Sequence, residues 1–287
     1  MKNEGEIITS RQNRTVVEVG KLTDRRAREA AGLFRFDGVK LLTEALKNGV
    51  IPQLILLKES NEKYLLDRLS DYASSLEKTR ILTLSDGVFD KISEEKSPEG
   101  VISVAKYLDK LQKIVTIYSS EEFLPRVGER IVLLESVRDP ANVGAIIRSA
   151  AALGVDRLIM SADCADIYNS KGVRASMGAV FNQRIHRVDS MAEAIEALRG
   201  SGRRVYAAAL DERALRLGSF EVEADACVVI GNEGHGLSEE VIQACDGSVF
   251  IPMSGRTESF NAAVAASILM WEFGKPGAHS PINSEMI

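Results

Sequence analysis

Hydrophobic and polar residues alternate along the chain in two patterns, and together these predict an α/β protein. Short apolar runs at 51–58 (IPQLILLK), 80–84 and 100–107 have the length and composition of buried strands. Between two of these runs, at 64–76, apolar residues recur at helical spacing. The first hundred or so residues are therefore expected to form a small α/β unit.

A second alternation begins at Arg130 and continues to Phe273. Its strands are apolar throughout, which indicates a parallel sheet covered by helices on both faces. Ligands of such sheets bind at the carboxyl ends of the strands. The predicted strands are 131–135, 157–160, 184–188, 203–210, 226–232 and 248–253, and the predicted helices are 142–153, 171–181, 191–198, 238–244 and 260–273.

The stretch between the two alternations mixes apolar and charged residues and ends in a Pro and a Gly. We interpret it as a linker or an extended connection. The predicted organisation is an N-terminal domain at 1–108, a linker at 109–128 and a C-terminal domain at 129–287. A length of 287 residues is consistent with two domains.

Composition narrows the classes of function. The chain has 36 Lys and Arg against 41 Asp and Glu, a net charge of -5, which argues against coating nucleic acid through bulk positive charge. The net charge does not exclude a nucleic-acid enzyme with a local basic face. Three cysteines without a C-x-x-C pair and three scattered histidines favour a reducing cytoplasm and no metal. The first residues lack the apolar region typical of a signal peptide, and no apolar run approaches about 20 residues, so no membrane partner is expected.

The first unusual strand end is ESVRDPANVGAIIRSA, residues 135–150. Asp139 and Pro140 set a turn, Asn142 is placed to cap the helix, and Gly144 permits close backbone approach. Arg148 follows Asn142 by six residues. The alternative interpretation is an ordinary strand–turn–helix with a surface arginine.

Two further strand ends are rich in small and polar residues. In 228–238 (VVIGNEGHGLS), three glycines make a loop that matches neither the Walker A pattern nor G-x-G-x-x-G. Glu233 argues against a simple phosphate cradle, since like charges repel. In 249–271, Ser259 and Asn261 stand at a helix start, where such residues are usually caps. A ligand-free turn and plain capping remain the alternatives.

Together and in this order, DPANVGAIIRSA, IGNEGHGLS and IPMSGRTESFNAAVA resemble the three motifs of the SpoU/TrmH family of RNA 2'-O-ribose methyltransferases. The resemblance spans roughly 130–274. The N-terminal part, from NRTVVEVGKL to SPEGVISVAK, is similar to the family's small substrate-binding domain, which is related to RNA-binding ribosomal proteins. The resemblance implies a SPOUT-type α/β domain with a deep trefoil knot, a homodimer with its active site near the subunit interface, and S-adenosylmethionine as methyl donor.

The resemblance also assigns roles to residues. A ribose 2'-hydroxyl is a poor nucleophile and must lose its proton as it attacks, and a cation can stabilise the developing alkoxide. Arg148 matches the residue expected to do this, and Asn142 would position Arg148 or the ribose. Glu233, Ser259 and Asn261 would shape the RNA side and hold the loops. The expected cofactor contacts are Gly231, Ile251 and Phe260, where the family more often has Leu at the last position.

A basic segment suggests where RNA binds. Residues 11–47 carry nine basic and five acidic side chains, a local charge of +4. The alternative is a solvated helix face. The expected RNA contacts are Arg11, Arg14, Arg25, Arg26 and Arg28, together with Arg138 and Arg174 in the C-terminal domain, where Arg256 also lies near the strand ends.

Three alternatives to an rRNA methyltransferase remain. Ribosomal RNA is favoured over transfer RNA because the N-terminal domain is typical of rRNA-directed members of the family. A non-catalytic RNA-binding member is disfavoured because all five motif residues are intact. A nucleotide-dependent oxidoreductase is disfavoured because no dinucleotide fingerprint follows the first strand of either domain.

Overall fold

The computed structural model describes residues 7–111, 113–212, 214–232, 234–255 and 259–274. Two of the residues singled out above, Glu233 and Arg256, lie outside the described residues. The chain divides into two compact units. The first contains residues 1–112 and 166–182, and the second contains residues 113–165 and 183–287.

The first unit is built on a four-stranded mixed sheet in the order β1-β4-β2-β3. Strand β4 is antiparallel to β1 and β2, and β2 is parallel to β3. Its elements up to residue 106 are α1 (Arg14–Lys21), α2 (Arg25–Ala31), β1 (Leu33–Asp37), α3 (Val39–Lys47), β2 (Leu54–Lys58), α4 (Glu62–Arg68), β3 (Arg80–Leu84), α5 (Asp86–Ile92) and β4 (Val101–Lys106).

Helices α1 and α5 cover one face of this sheet. Val16 and Val19 of α1 are one turn apart and pack with Phe89 of α5 against Leu56 and Ile102. Asn13 caps α1 by accepting a hydrogen bond from the backbone N–H of Thr15. The predicted strands at 51–58, 80–84 and 100–107 are therefore present as β2, β3 and β4, and their residues are buried almost throughout.

The second unit is built on an eight-stranded parallel sheet in the order β10-β12-β9-β11-β6-β7-β8-β5. The predicted parallel sheet is confirmed. The remaining elements of the chain are β5 (Ile114–Ile117), β6 (Ile131–Leu134), α6 (Pro140–Ala152), β7 (Arg157–Ser161), α7 (Ser170–Ala175), β8 (Arg184–Val188), α8 (Met191–Gly200), β9 (Val205–Ala208), β10 (Leu215–Arg216), β11 (Cys227–Ile230), α9 (Glu239–Ala244), β12 (Gly247–Phe250) and α10 (Ala262–Phe273).

Helices cover both faces of the parallel sheet. Helices α8 and α9 pack over Leu133, Ile159 and Val229. Successive strand residues point to opposite faces, so Val132 and Val228 face the other side, where α6 and α10 pack against one another. Arg130 joins the ends of these two helices, because its guanidinium donates to the Leu153 and Met270 carbonyls.

Two short strands go beyond the sequence prediction. Strand β5 lies inside the segment predicted as a linker or extended connection and pairs in parallel with β8. Its Ile114 and Ile117 are buried, while Thr116 between them is exposed. Strand β10 has two residues, both exposed, so no apolar pattern announces it.

The segment 166–182 packs with the first unit, although its neighbours in the sequence belong to the second. The Tyr168 ring stacks on Tyr107 at a centroid distance of 3.8 Å. Phe181 packs against Phe34 and Phe36 on β1. These aromatic residues complete the second face of the small sheet, because Phe34 and Phe36 pair opposite Ala105 and Ser103 and so point away from Ile102.

The same segment corrects one of the predicted RNA contacts. Arg28 is only 2% exposed and donates to the carbonyls of Leu22 and Thr23, both at 2.8 Å. It also forms an ion pair with Asp166 at 2.6 Å. A guanidinium enclosed in this way binds protein groups rather than phosphate, so Arg28 leaves the set of RNA-contact candidates.

Candidate active site

A cavity of about 320 Å³ opens at the carboxyl ends of β9, β11 and β12. It is lined by Gly231, Ile251 and Phe260, the three positions predicted to contact a cofactor, and by Ser259. Apolar side chains of α10, including Leu269, form another part of its wall. The structure thus brings the ends of the second and third motifs to one place, at the edge of a parallel sheet where ligands bind.

The loop after β11 is folded tightly beside this cavity. The Asn232 and Gly236 backbones exchange two hydrogen bonds of 3.0 Å. Gly236 has a φ of 70°, in the left-handed region. A Cβ atom at Gly231 would lie 2.5 Å from the Gly236 carbonyl carbon, so only glycine fits there.

Asn232 ties this loop to the first motif, a role that the sequence analysis did not assign. Its Oδ1 accepts from the backbone N–H groups of Gly234 (2.8 Å) and His235 (3.2 Å). Its Nδ2 donates to the Ser136 carbonyl at 2.8 Å, next to a Ser136 backbone with a φ of 55°. The signal available in the sequence was an Asn directly after a strand and before a glycine loop, which is typical of an Asx turn.

The first and third motifs meet through two asparagines. Asn261 Nδ2 donates to Asn142 Oδ1 at 2.9 Å, and Asn261 caps α10 by accepting from the Ala263 backbone N–H. The prediction that Asn142 caps α6 is wrong. Asp139 is the cap, since its carboxylate accepts from the N–H groups of Ala141 and Asn142, with Pro140 in the first helical turn.

Arg148 is exposed on α6 and does not line the cavity. Six residues separate it from Asn142, which turns it about 120° away around the helix. Ser149 lies on the α10 side, where its hydroxyl contacts Ser267 at 2.8 Å. Within the described residues, Arg148 forms no ion pair. The structure therefore brings together Asn142 and Asn261, and separately Gly231, Ile251, Ser259 and Phe260, but not Arg148.

Most of the predicted RNA contacts are exposed. On α1 and α2, Arg14 pairs with Glu18 and Arg25 pairs with Glu29, both one helical turn away at 2.7 Å. The other exposed or half-exposed arginines of the predicted set are Arg11, Arg26, Arg138 and Arg174.

Arg138 contacts Asp163 at 3.2 Å. Burial raises the pKa of Asp163, but hydrogen bonds from Ser136, Ser161 and Arg138 outweigh burial, and the pKa is lowered overall. Arg174 lies 3.3 Å from Glu95. Both arginines are therefore already neutralised in part by a neighbouring carboxylate.

The described residues offer neither a metal site nor a membrane-spanning helix. No cluster of three or more His, Cys, Asp or Glu side chains in this part of the chain is arranged to hold a metal ion. Over the same residues, no helix has both the length and the apolar character required to cross a bilayer.

A parallel sheet with a glycine-lined apolar cavity at its carboxyl edge defines an α/β cofactor-binding protein. Comparison with known sequences identifies the family within this class. The sequence model described as the SpoU rRNA methylase family matches residues 129–271, and that of an MRM3-like substrate-binding domain matches residues 13–103. The chain belongs to the SpoU/TrmH family, as its motifs suggested.

Individual relatives agree with this assignment. The 23S rRNA (uridine(2479)-2'-O)-methyltransferase of Streptomyces viridochromogenes is 32% identical over 274 residues, covering 92% of this chain and 90% of that protein. The 23S rRNA (guanosine(2553)-2'-O)-methyltransferase RlmP of Bacillus subtilis (strain 168) is 28% identical, covering 92% and 97%. The structure of an AdoMet-bound rRNA methyltransferase from Sinorhizobium meliloti superposes with a TM-score of 0.77 at 26% identity, covering 94% of this chain and 97% of that one.

Proposed function

We propose that this protein transfers a methyl group from S-adenosylmethionine to a ribose 2'-hydroxyl of ribosomal RNA. Two relatives that match the chain over nearly its whole length are named as 23S rRNA 2'-O-methyltransferases. The observation that carries the proposal is the cavity where Gly231, Ile251 and Phe260 converge. These are the positions that the family motifs assign to the cofactor.

The residues of this cavity fit S-adenosylmethionine. A volume of about 320 Å³ lies within the range of small-molecule pockets, roughly 300–1,000 Å³. Gly231 has no room for a side chain, so the backbone itself forms the wall there, and Ile251 and Phe260 supply apolar surface. When bound, S-adenosylmethionine supplies an electrophilic methyl group on a sulfonium, whose leaving group is a neutral thioether. Backbone groups and apolar side chains are suited to hold it without competing for that methyl group.

The remaining chemistry falls to polar side chains. The proton of the 2'-hydroxyl would pass to water, and Arg148 would stabilise the 2'-alkoxide as it forms, because a guanidinium stays charged and places a positive charge beside the developing oxyanion. Asn142 and Asn261 hold the starts of α6 and α10 together, which fixes the ends of two motifs relative to each other. Ser259 at the cavity and Glu233 would act on the RNA side.

We further propose a homodimer formed through α6 and α10. Helix α10 carries apolar residues around its whole circumference, and its Val264 and Trp271 are 47% and 55% exposed in the single chain. A helix that is apolar on all sides is ordinarily buried, which a second copy would achieve. Arg148, exposed on α6, would then stand at the subunit interface, near an active site built by both copies.

Other features of the proposal follow the family. Residues 1–108 would bind RNA, 109–128 would connect the domains, and 129–287 would form the methyltransferase domain with its trefoil knot. Arg11, Arg14, Arg25, Arg26, Arg138 and Arg174 would contact RNA phosphates. The protein would work in the cytoplasm.

Transfer of tritiated methyl groups tests the proposal. The protein is incubated with labelled S-adenosylmethionine and with unmodified 23S rRNA or unmodified tRNA. We expect label in rRNA, and a kcat at least about 100-fold lower for Arg148→Ala, since loss of one transition-state donor costs about that much. The dissociation constant for S-adenosylmethionine should stay within twofold.

Two further variants sharpen this test. Arg148→Lys keeps the charge and should retain part of the activity, and Arg204→Ala removes another exposed arginine of the same unit as a matched control. Label in tRNA alone would contradict the substrate, and full activity of Arg148→Ala would contradict the assigned role.

A further inference from the structure

A second cavity, of about 570 Å³, lies in the first unit between α3 and α4. Its wall includes Lys40 and Lys47 from α3, Tyr64 and Arg68 from α4, and Asn61 just before α4. None of these residues belongs to the three methyltransferase motifs. The groove lies inside residues 13–103, the part that matches a substrate-binding domain.

Tyr64 presents an aromatic ring to this groove. Leu65 of α4 is buried, whereas Tyr64 is 56% exposed. The Arg68 guanidinium lies over the Tyr64 ring at 5.7 Å from its centroid and donates to the Tyr64 hydroxyl at 2.9 Å. These two contacts hold the ring in one orientation at the surface, where water would otherwise surround a largely apolar group.

The two acidic side chains that line the groove have hydrogen-bond partners, whereas one of its lysines forms no ion pair within the described residues. Its two carboxylates already have partners: Glu44 accepts from Lys47 at 3.0 Å, and Glu99 accepts from the Val39 backbone N–H at 2.6 Å. Glu99 thereby caps the start of α3, where Gly38 has no side chain to do so. Lys40 is exposed and forms no ion pair with any described residue. The side chain available to bind a charged ligand at the groove is therefore the cation of Lys40.

Asn61 in the groove wall is fixed by a hydrogen bond. Asn61 Nδ2 donates to the Glu99 carbonyl at 3.1 Å. Gly100 follows with a φ of 92°, and a Cβ atom there would lie 2.8 Å from Asn61 Nδ2. Asn61 is thus held between α4 and the start of β4, so the groove is a formed feature and not a gap between loose side chains.

We propose that this groove binds one unpaired nucleotide of the RNA substrate, with its base on the Tyr64 ring and its phosphate beside Lys40. An exposed aromatic ring flanked by cations is the chemistry with which proteins hold unstacked bases of single-stranded RNA. The volume is sufficient for a nucleotide. This inference rests on the proposed function, because it takes RNA as the substrate, and it names where outside the active site that RNA is held.

Variants of Tyr64 test the proposal in the full-length protein. Tyr64→Ala removes the ring, Tyr64→Phe keeps it, and Tyr118→Ala, which removes a tyrosine that is 71% exposed in the other unit, is the control. For unmodified 23S rRNA, Tyr64→Ala should raise the dissociation constant and KM about tenfold, which is the size of one lost base-stacking contact. The kcat and the affinity for S-adenosylmethionine should not change. Tyr64→Phe and Tyr118→Ala should stay within about twofold of wild type.

Ultraviolet cross-linking locates the contact directly. The wild-type protein is irradiated with 23S rRNA and the nucleotide adduct is mapped by mass spectrometry, with 1 mM UMP or AMP as competitor. We expect the adduct on the peptide that contains Tyr64, and no competition if the groove recognises RNA. Full competition would mean a site for free nucleotides and would overturn the RNA assignment.

The outcomes separate this inference from the proposed function. If rRNA is methylated but Tyr64→Ala leaves KM and the dissociation constant unchanged, the groove proposal is overturned and the function stands. If the adduct forms on Tyr64 and the Tyr64→Ala variant binds rRNA weakly, but no methyl group is transferred, the groove proposal stands and the function fails.

Discussion

At the scale of single residues, Arg26 and Arg28 show how two neighbouring arginines of one helix differ in environment. Arg26 is exposed, whereas Arg28 is enclosed by the Leu22 and Thr23 carbonyls and Asp166. Arg28→Ala should lower the free energy of unfolding by about 3 kcal/mol, because Asp166 and the two carbonyls would lose their partner. Urea denaturation measures this directly.

Arg26→Ala should leave stability unchanged and weaken RNA binding. Its stability should stay within about 0.5 kcal/mol of wild type, while its affinity for rRNA falls and the slope of log K against log salt drops by about 1. If Arg28→Ala weakened RNA binding at full stability, the buried position of Arg28 in our account would be wrong.

His186 makes the stability of the second unit depend on pH. It is buried, its Nδ1 lies 3.5 Å from Arg157 Nη1, and burial together with Arg157 and Arg184 lowers its pKa from 6.5 to about 4. Above pH 6.5 it is neutral in both the folded and unfolded states, so its contribution to stability is complete. As pH falls from 6.5 towards 4, only the unfolded state takes up the proton, and stability is lost.

The expected loss by pH 4.5 is about 2.5 kcal/mol from this group alone, since one pKa unit corresponds to about 1.4 kcal/mol. Urea denaturation at pH 7 and pH 4.5 should show it as the difference between wild type and His186→Gln, which cannot titrate. Equal pH dependence in the two proteins would contradict this assignment.

At the scale of elements, the segment 166–182 completes the small sheet of the first unit. Tyr168 stacks on Tyr107, donates to Asp109 at 2.8 Å and accepts from the Leu108 backbone N–H at 2.7 Å. Tyr168→Ala should therefore destabilise the first unit by about 3–5 kcal/mol.

Hydrogen exchange read by mass spectrometry tests this by location. Protection should fall in peptides covering β1 and β4 and remain in those covering β6 and β11, with Tyr118→Ala unchanged throughout. Uniform loss of protection in both sheets, or no loss in β1, would contradict the assignment of this segment to the first unit.

The elements also show what the sequence could predict. The strands at 80–84 and 184–188 were predicted with the bounds that the structure has. The first is mostly apolar, and the second lies between two predicted helices in a strand–helix alternation. The cap of α6 was misassigned, because Asp139 and Asn142 are both good capping residues and only the helix start distinguishes them. The packing of 166–182 with the first unit could not be predicted, because an apolar pattern shows that a segment is buried but not against which sheet.

At the scale of the whole molecule, the candidate site depends on strand order. Gly231 and Ile251 follow β11 and β12, and these strands are separated in the sheet only by β9. The sequence indicated that the residues lie at carboxyl ends of parallel strands, and the resemblance assigned them to one cofactor. Long-range pairing decides which strand ends are neighbours, and this is why Asn232, whose partner Ser136 lies 96 residues earlier, was missed.

The net charge of -5 takes on a different meaning at this scale. It is an average over a chain whose segment 11–47 carries +4. With Arg28 and Arg35 buried, the exposed cations of that segment lie just before α1 and on α1, α2 and α3, and those of α3 border the Tyr64 groove. A local basic surface in an acidic protein suits recognition of one structured RNA site better than coating of RNA at large.

The position of the transferred methyl group distinguishes ribose methylation from every other methyl transfer to RNA. Unmodified 23S rRNA is incubated with the protein and labelled S-adenosylmethionine, digested to nucleosides and analysed by mass spectrometry. We expect a single 2'-O-methylated nucleoside, with the adjacent phosphodiester resistant to alkali because the 2'-hydroxyl is blocked. A methyl group on a base, or no methylated nucleoside, would contradict it.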